Sequence, residues 1–321
     1  MSATVSEQGA ARLLRGADHL LIVSHAAPDG DTVGAAFALG RAMQILGKSV
    51  RIECSDAIPH RYDYLFSGVK PQQFEPQAVV AVDIADRHLI GERLSAQCKQ
   101  VLLCIDHHVS NMKYADHTLV DAHAAATCEI VARVIQALGV AFDREIASAV
   151  YTGLASDTGC FRYSNTTPAT LRCAAAMSEY GADTARINKI LFETVSLARL
   201  RIESGALASL ELLYDGRIAM MTVPLELMKS ADACEEELEG IASLPAQIEG
   251  VQAGITVKEK QPGFYKISMR TDGSVNASRV CAGLGGGGHP CAAGCEFRGT
   301  LDQAKAAIAG LVGKALLQEA P

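Results

Sequence analysis

The sequence predicts an α/β protein in which a parallel, doubly wound domain is followed by a smaller α+β domain. Over the first two-thirds of the chain, short apolar runs alternate with helical patterns. That alternation is typical of a parallel sheet covered by helices. Near residue 190 it stops, and strand-like runs then follow with fewer helices between them. The length of 321 residues suits about two domains.

Apolar runs predict the strands of the first domain. They are short and rich in Val, Ile and Leu, as buried parallel strands are. The runs are His19–Ser24, Val50–Cys54, Ala78–Asp83 and Val101–Asp106. Helices are predicted where apolar residues recur at helical spacing. These patterns cover Thr32–Leu46, which ends before Gly47, and about 126–138, 143–156 and 168–180.

The second domain begins after a predicted connector. Residues 191–213 are rich in Leu, Ala, Arg and Glu and predict one long helix. We therefore divide the chain into a first domain of 1–190, this connector, and a second domain of 214–321. In the second domain strands are predicted at Arg217–Val223, Val251–Val257 and Phe264–Met269, and a helix from Leu301 to about Leu317.

Composition excludes several classes of protein. The formal net charge is −7, and an acidic chain is a poor binder of long duplex nucleic acid, which demands a basic surface. The longest apolar runs are too short to span a membrane, and no secretory leader is evident at the start. The ten cysteines lack a zinc or disulfide pattern. We expect reduced thiols in a cytoplasmic protein that has no contact with membranes.

Acids and histidines lie at the carboxyl ends of the predicted strands. In an open parallel sheet the carboxyl ends of the strands line one crevice, which is where ligands bind. One further acid lies near the end of an apolar helix. We therefore expect these side chains to meet although nearly 130 residues separate the first from the last: His25, Asp29, Asp31, Asp83, Asp106, His107, His108 and Asp157.

Carboxylates and imidazoles together suit two divalent ions. Manganese, iron and zinc accept both kinds of donor, whereas calcium prefers oxygen alone. Two ions roughly 3.5–4 Å apart can clamp the attacking and leaving oxygens of a phosphate ester. Asp83 is our candidate for the carboxylate that bridges them. A water held between the ions as hydroxide would be the nucleophile.

Each of these motifs also has a purely structural interpretation. Pro28-Asp29-Gly30-Asp31 is a good turn followed by a helix, with Asp31 as its cap. Asp83 could cap the next helix, and a His-His pair alone is more often structural. Their joint occurrence decides, because each buried unpaired charge costs several kcal/mol without a metal or partner.

In order along the chain, the motifs HAAPDGD, VDIAD, DHH and SDTGCFRYSNT resemble those of the DHH phosphoesterase superfamily. Gly285–Gly288 followed by His289 and a later Ala-Ala-Gly looks like the DHHA1 domain of that superfamily. The resemblance covers nearly the whole chain. In length and layout the chain is similar to the stand-alone oligoribonucleases that also act as 3′-phosphoadenosine 5′-phosphate phosphatases.

The resemblance implies a role for each residue of the first domain. We expect both ions to be Mn²⁺, and one of them would be held by His25, Asp29 and Asp83. The second would be held by Asp31, Asp83, His107 and Asp157. Asp106 would orient a neighbouring imidazole. His108 would lie near the scissile phosphate, where it would stabilise charge or act as general acid.

A second group of residues predicts the substrate-binding surface. Glycines allow the backbone to approach a ligand closely and present its amides to phosphate, and arginine binds phosphate with two hydrogen bonds. A lone glycine run is otherwise a linker, and Arg279 could simply face solvent. The predicted contacts are Arg162, Arg270, Asn276, Ser278, Arg279, Gly285, Gly286, Gly287, Gly288 and His289.

The leading hypothesis is an exonuclease that hydrolyses short RNA to mononucleotides and converts 3′-phosphoadenosine 5′-phosphate to AMP. An alternative is a phosphodiesterase for cyclic or linear dinucleotides, because both substrates would use the same metals. A more remote one is a nucleotide sensor without catalysis, against which the intact ligand positions argue. The predicted partners are short oligonucleotides or small nucleotides, and a homodimer is left open.

Overall fold

The computed structural model describes residues 2–238 and 240–318. The chain divides into two compact units, one up to Thr194 and one from Val195 onward. Each unit is built on a six-stranded sheet and has its own hydrophobic core. The predicted combination of a parallel, doubly wound α/β domain and a smaller α+β domain is confirmed.

The sheet of the first unit is parallel throughout. Its strands are β1 (Ala3–Thr4), β2 (Leu20–Ser24), β3 (Val50–Cys54), β4 (Ala78–Val82), β5 (Leu103–Asp106) and β6 (His117–Val120). They lie in the order β1-β6-β5-β4-β2-β3. The four predicted strands are confirmed. The edge strand β1 and its neighbour β6 were not predicted, because they are short and hold few apolar residues.

Helices cover both faces of this sheet. They are α1 (Glu7–Gly16), α2 (Gly30–Ile45), α3 (Glu92–Ser95), α4 (Thr127–Ala137), α5 (Arg144–Asp157), α6 (Pro168–Glu179) and α7 (Thr184–Asn188). Successive residues of β2 enter opposite cores: Leu20 and Ile22 pack on one side, Leu21 and Val23 on the other. This double burial explains why the strands are continuous apolar runs.

The order of the strands fixes where a ligand can bind. β2 pairs with β3 on one side and with β4 on the other, so the chain changes direction across β2. In doubly wound sheets the crevice beyond the carboxyl ends of such strands is the binding site. His25 follows β2 and Asp83 follows β4, so both lie at this switch point.

Glycines let α2 and α5 approach closely at the same end of the sheet. A Cβ on Gly34 would lie 2.4 Å from the carbonyl oxygen of Ala149, and one on Gly30 would lie 2.6 Å from the Cβ of Ser156. Neither contact is compatible with a side chain. The close approach brings the C-terminal end of α5, where Asp157 lies, to the N-terminal end of α2.

The second unit contains a mixed sheet. Its strands are β7 (Glu211–Leu213), β8 (Ile218–Val223), β9 (Ala253–Gln261), β10 (Phe264–Thr271), β11 (Gly287–His289) and β12 (Ala292–Arg298), in the order β11-β12-β10-β9-β8-β7. β8 and β9 are parallel, and the other pairs are antiparallel. The helices are α8 (Leu197–Ala208), α9 (Leu225–Ser230), α10 (Ala277–Ala282) and α11 (Leu301–Gln318).

The predicted connector helix over 191–213 is wrong in its extent. A π-helical turn covers Lys189–Glu193, α8 then begins after Ser196, and the chain re-enters the sheet as β7. The Ser196 side chain caps α8 by accepting a hydrogen bond from the Arg199 amide. Beyond α8, the Ser209 hydroxyl accepts from the Thr222 amide at 2.8 Å and draws the chain onto β8. Tertiary pairing thus overrides helix propensity here. The connector role stays a prediction.

Across the described residues, every helix is too short or too polar to cross a lipid bilayer.

Candidate active site

The loop between β2 and α2 places His25 at the edge of the sheet. Its Nδ1 lies 2.8 Å from the carbonyl oxygen of Ala26, which can only accept, so Nδ1 is the donor. The other ring nitrogen, Nε2, then faces two carboxylates. It lies 3.7 Å from Oδ1 of Asp29 and 3.6 Å from Oδ2 of Asp83. Both separations are longer than a hydrogen bond.

Asp29 and Asp31, the two acids of this turn, differ in their roles from the prediction. Asp29, not Asp31, caps α2, and its Oδ1 accepts from the amides of Asp31 and Thr32. The expectation of Asp31 as the cap is therefore wrong, since either acid in this turn has the chemistry to cap. Asp31 is fully buried instead and accepts from the amides of Thr127 and Cys128, at 2.6 and 2.9 Å. The first amides of α4 thus hold its carboxylate.

The space for the Asp31 carboxylate is provided by Gly153 in α5. A Cβ at this position would lie 2.5 Å from Oδ1 of Asp31 and 2.3 Å from Sγ of Cys128. Both neighbours are buried. Any side chain at 153 must therefore displace Asp31 or separate α5 from α4.

Gly153→Ala should disturb the site more than the fold. Overpacking typically costs about 1–3 kcal/mol, so we expect Tm to fall by several degrees. Displacement of Asp31 should lower turnover by about 10-fold or more, on the scale of supports to metal ligands. Gly310→Ala in α11 is the control, because nothing lies within 4 Å of its Cβ. Thermal unfolding and turnover on both variants test this, and unchanged turnover in Gly153→Ala would contradict it.

Asp83 occupies the centre of the site. It follows β4 with φ of +59°, a left-handed conformation that non-glycine residues adopt rarely and often at functional sites. Its amide donates to the Ile105 carbonyl at 2.9 Å, and its Oδ1 accepts from the Thr127 hydroxyl at 2.9 Å. The residue is only 3% exposed, so the fold holds this carboxylate firmly.

Asp106 supports the two histidines that follow it. It is fully buried at the end of β5, and its Oδ1 accepts from the amide of His107 and from Nδ1 of His108, both at 2.8 Å. Asn111 donates to its Oδ2 at 2.6 Å. Because Nδ1 of His108 is engaged, Nε2 remains for another partner. The His108 side chain is 45% exposed, so that nitrogen is accessible.

His107 points into the carboxylates. Its Nδ1 lies 3.3 Å from the Ala124 carbonyl oxygen, which makes it the donor. Nε2 lies 3.4 Å from Oδ2 of Asp157 and 3.7 Å from Oδ1 of Asp83. It is buried, and within the described part of the chain no group forms a hydrogen bond with it. A buried imidazole nitrogen facing two carboxylates is the arrangement that a metal ion satisfies.

The acids repel one another in the absence of positive charge. Burial and the charges of Asp83 and Asp29 raise the pKa of Asp31 well above its usual range. Burial and the same cluster of charges also raise the pKa of Asp157. Burial alone would lower the pKa of His25, but the adjacent carboxylates raise it to about 11. The site therefore has an excess of negative charge that cations would neutralise.

His108 has a distinct electrostatic environment. The hydrogen bond from its ring to Asp106 is the largest influence and raises the pKa of His108 to about 9, although burial opposes the shift. For Asp106, burial would raise the pKa, but the hydrogen bonds of His108 and Asn111 lower it overall. Without bound metal, these shifts favour a protonated imidazole beside a carboxylate.

The predicted ligands, together with His108, fall into three overlapping groups with metal-ligand spacing. Within each group one donor atom per residue lies within 4.8 Å of the others. The groups are His25–Asp29–Asp83, Asp31–His107–Asp157 and Asp83–His107–His108. Asp83 belongs to two of them. All six residues predicted to hold metal therefore converge at one end of the sheet.

The second unit collects most of the other predicted residues around one loop. Arg270 is the penultimate residue of β10, and its Nη1 donates to the Met269 carbonyl. Asn276 caps α10 by accepting from the Arg279 amide at 3.0 Å, and Ser278 follows inside the helix. The Ala277 amide donates to the Pro290 carbonyl, which joins this loop to the glycine run.

The glycine run forms an edge strand rather than a linker. Gly287–His289 pairs with β12. A Cβ on Gly286 would lie 2.2 Å from the Gly294 oxygen, and one on Gly288 would lie 2.6 Å from the Ala292 oxygen. Gly285 has a φ of +76°. Packing on β12 and backbone conformation thus require glycine at these three positions, while the position of Gly287 is open. His289 is exposed at the end of the strand.

Arg162 lies in the first unit, apart from this loop in sequence. Its Nε donates to the Gly159 carbonyl at 2.5 Å. Three successive residues, Gly159 to Phe161, have positive φ values of 55–63°. This unusual backbone directly follows Asp157 and its neighbour Thr158. Arg162 is exposed, and its hydrogen bond to Gly159 keeps it close in the chain to Asp157, one of the candidate metal ligands.

Comparison with known proteins assigns the family. The DHH family, N-terminal domain, matches residues 19–154, and the DHHA1 domain matches residues 216–314. A bifunctional oligoribonuclease and PAP phosphatase, NrnA of Thermus thermophilus, is 32% identical over 89% of this chain and 86% of its own length. This chain belongs to the DHH family.

A second relative in sequence and one solved structure are also similar to this chain. The cyclic-di-AMP phosphodiesterase GdpP of Bacillus subtilis is 24% identical over 88% of this chain but only 45% of its own length. The crystal structure of an exopolyphosphatase-related protein from Bacteroides fragilis superposes with a TM-score of 0.84 at 24% identity, covering 98% of this chain and 97% of that one. This likeness shows that the fold is shared.

Two supporting residues of the DHH unit were not predicted. Thr127 holds Asp31 through its amide and Asp83 through its hydroxyl, and Asn111 holds Asp106. Thr127 begins a helix that the sequence does predict. Its contacts span 44 and 96 positions along the chain, so no local pattern could reveal them. Asn111 follows the DHH motif closely, and its short polar side chain was the available signal.

Proposed function

We propose that this protein hydrolyses short oligoribonucleotides to mononucleotides and also converts 3′-phosphoadenosine 5′-phosphate to AMP. The position of Asp83 carries the proposal: one buried carboxylate faces His25 on one side and His107 on the other, at 3.6 and 3.7 Å. That arrangement suits a carboxylate shared by two ions. The relatives named as oligoribonucleases and PAP phosphatases support the choice of substrate.

The donors fit two divalent cations. Nitrogen and carboxylate ligands together favour Mn²⁺ over Ca²⁺ or Mg²⁺, and the orphaned Nε2 of His107 supports a metal at that point. We assign His25, Asp29 and Asp83 to one ion, and Asp31, Asp83, His107 and Asp157 to the other. When bound, the ions supply positive charge against the phosphate and lower the pKa of water.

The residues of the chain provide the remaining chemistry. Asp106 holds His108 through Nδ1 and so directs Nε2 outward. We propose that this nitrogen donates a hydrogen bond to the scissile phosphate or a proton to the leaving oxygen. The buried amides of α4 and the Thr127 hydroxyl fix Asp31 and Asp83, so the ligands are held before substrate arrives.

We propose that the loop of the second unit binds the nucleotide. Arg270 offers a guanidinium for phosphate. Asn276 uses its side-chain oxygen to cap α10, which leaves its NH₂ group for a ligand. The backbone of Gly287 and the imidazole of His289 are exposed beside them. Ser278, Arg279 and Arg162 are further candidates for phosphate contacts.

Arg270→Ala should weaken substrate binding without loss of metal. One hydrogen bond to a charged group is worth about 1.5–3 kcal/mol, so KM should rise roughly 10-fold or more, since about 1.4 kcal/mol is a factor of ten. Metal content should equal that of the wild type. Arg12→Ala, at an exposed arginine of α1, is the control. Loss of bound ions in Arg270→Ala would contradict the assignment of Arg270 to substrate binding rather than to metal binding.

A second candidate function is hydrolysis of a cyclic or linear dinucleotide. The similarity to GdpP over most of this chain is the observation that favours it. The same cluster of ligands would serve both substrates. The identity is lower than to NrnA of Thermus thermophilus, so we place it second.

A substrate panel tests the function. The full chain is incubated with Mn²⁺ and labelled RNA of two to five nucleotides, 3′-phosphoadenosine 5′-phosphate, and cyclic and linear diadenylate in parallel. We expect mononucleotide release from the short RNAs and AMP from 3′-phosphoadenosine 5′-phosphate, with slower attack on the cyclic compound. Turnover of the cyclic dinucleotide alone would establish the second candidate. No product from any compound would refute both.

We also propose a cytoplasmic location and leave the homodimer as a prediction. Six of the ten cysteines are buried thiols, which suits a reducing compartment. Light scattering on the purified protein gives the subunit count. Fractionation of the source cells gives the location.

A further inference from the structure

A basic groove lies on the sheet of the second unit. We call it the lysine groove and define it by Thr256, Lys258 and Lys260 of β9 and Lys266, Ser268 and Arg270 of β10. These residues line a depression of about 320 Å³, whose other wall includes Glu235, Leu238, Gly240, Ile241 and Ala242. Except for Arg270, none belongs to the nucleotide-binding loop described above.

Alternation along the two strands explains why these side chains share one face. Odd-numbered residues such as Ile255 and Ile267 enter the core with α10 and α11. The even-numbered residues therefore point to the opposite face. The register places Lys258 directly across from Lys266, and Thr256 across from Ser268. The groove is thus built from cross-strand pairs.

The pairing of two lysines is unfavourable for the protein alone. Like charges directly opposite one another on a sheet are destabilising, and Lys258 has only 13% of its side chain exposed. Burial and the charge of Lys266 contribute to lowering the pKa of Lys258. An anion bound across the pair would offset this repulsion.

Two acids lie near the groove and offset part of its charge. Glu235 forms ion pairs with Lys258 and with Lys260, the latter at 3.1 Å, and is itself 66% exposed. On β12, Glu296 lies opposite Lys266. Of the described residues that line the groove, four are cations and one, Glu235, is an acid, in a chain whose net charge is −7. The groove is therefore a basic surface on an acidic protein.

The shape and chemistry suit a single-stranded nucleic-acid backbone. Lys266 and Arg270 are four residues apart on β10, which spans about 13 Å, more than one phosphate. Grooves that track a backbone with cations bind single strands without sequence preference. Hydroxyls of Ser268 and Thr256 lie between the cations. An acidic peptide could match the charge, but Arg270 joins the groove directly to the proposed nucleotide-binding loop, which favours RNA.

We infer that the lysine groove binds the phosphates of an RNA substrate beyond its first nucleotides, so that oligonucleotides are held more tightly than dinucleotides or 3′-phosphoadenosine 5′-phosphate. This inference rests on the proposed function for the identity of the nucleic acid. It assigns preference for chain length to lysines of the second unit rather than to the metal-binding residues.

The test uses Lys260→Gln/Lys266→Gln in the full chain. Both lysines are exposed, so the fold should tolerate the change. KM for a pentanucleotide should rise about 10-fold, while KM for a dinucleotide and kcat for both should change less than about 2-fold. For direct binding, loss of two phosphate contacts should reduce the salt slope for single-stranded RNA by about 1.4. Lys99→Gln/Lys314→Gln is the charge-matched control, at exposed lysines outside the groove.

Direct binding separates the groove from catalysis. Anisotropy of labelled pentaadenylate on metal-free protein reports affinity even if the wild type cleaves nothing, in which case only the proposed function fails. Equal affinity and salt slope in the groove variant and the wild type would overturn the inference. So would an equal KM increase for dinucleotide and pentanucleotide. Tighter binding of a hexaglutamate peptide than of RNA, lost in the groove variant, would instead establish an acidic protein partner and overturn it too.

Discussion

Asp83→Ala should abolish nearly all turnover while the fold is retained. The carboxylate lies between His25 and His107 and is the donor common to two of the ligand groups. Without it, neither ion would keep its full set of ligands, and we expect a loss of more than about 10³-fold in kcat/KM. Metal content should fall in parallel. Turnover, bound metal and circular dichroism on one preparation check this result.

The stability of the metal-free variant distinguishes a site residue from a structural one. Removing Asp83 deletes a negative charge that raises the pKa of Asp31, and it also deletes the hydrogen bond of the Thr127 hydroxyl, worth about 1 kcal/mol. These effects oppose one another, so Tm without metal should change by only a few degrees. Asp86→Ala, three residues later at the cap of a short helix, is the control. Near wild-type turnover in Asp83→Ala would show that it does not bridge the ions.

His108→Ala should lower kcat by about 10²–10⁴-fold, the range of a lost general acid, and leave both ions bound. The reason is geometric: Nδ1 is held by Asp106 at 2.8 Å, and the accessible Nε2 is the atom free to act on substrate. Asp106→Asn should have a smaller effect of the same kind, because the imidazole remains but loses its anchor. Turnover and metal analysis measure both outcomes.

The control for His108 is His123→Ala, an exposed histidine outside the ligand groups. It should leave kcat unchanged. Because Nδ1 of His108 also lies 3.5 Å from Oδ1 of Asp83, metal ligation is the competing interpretation. Loss of one ion from His108→Ala would establish that interpretation and refute a role on the substrate alone.

The sequence was sufficient for the fold class and for the ligand cluster because both depend on a local rule. Parallel strands bring their carboxyl ends to one edge, so acids that follow apolar runs must meet. This rule places His25, Asp83 and Asp106 without any knowledge of packing. The same rule does not place Asp157, because the approach of Asp157 to the cluster depends on the close contact of α2 and α5 at Gly34.

What the sequence could not show depends on contacts between distant residues. Thr127 holds two acids because the N-terminal end of α4 lies against Asp31. Glycine is required at position 153 because Asp31 and Cys128 occupy the space beside it. The helix expected over 191–213 breaks because β7 pairs with β8. In each case tertiary packing overrides or adds to local propensity.

The glycine run illustrates the same point in the second unit. Glycine has low propensity for strands, and four in succession predict a flexible backbone. The structure nevertheless pairs Gly287–His289 with β12, because the glycines allow an approach that a Cβ would prevent. Residues of a strand alternate between its two faces. With the pairing of β9 and β10 known, this rule is enough to locate the lysine groove from the sequence.

Titration of the metal-free protein with Mn²⁺, followed by bound metal in native mass spectrometry and by release of mononucleotide from a short RNA, tests the central claim most directly. We predict that two ions bind per chain and that turnover appears only as the second site fills. Turnover by protein carrying no ion, or full turnover with a single ion bound, would contradict a two-metal centre built on Asp83.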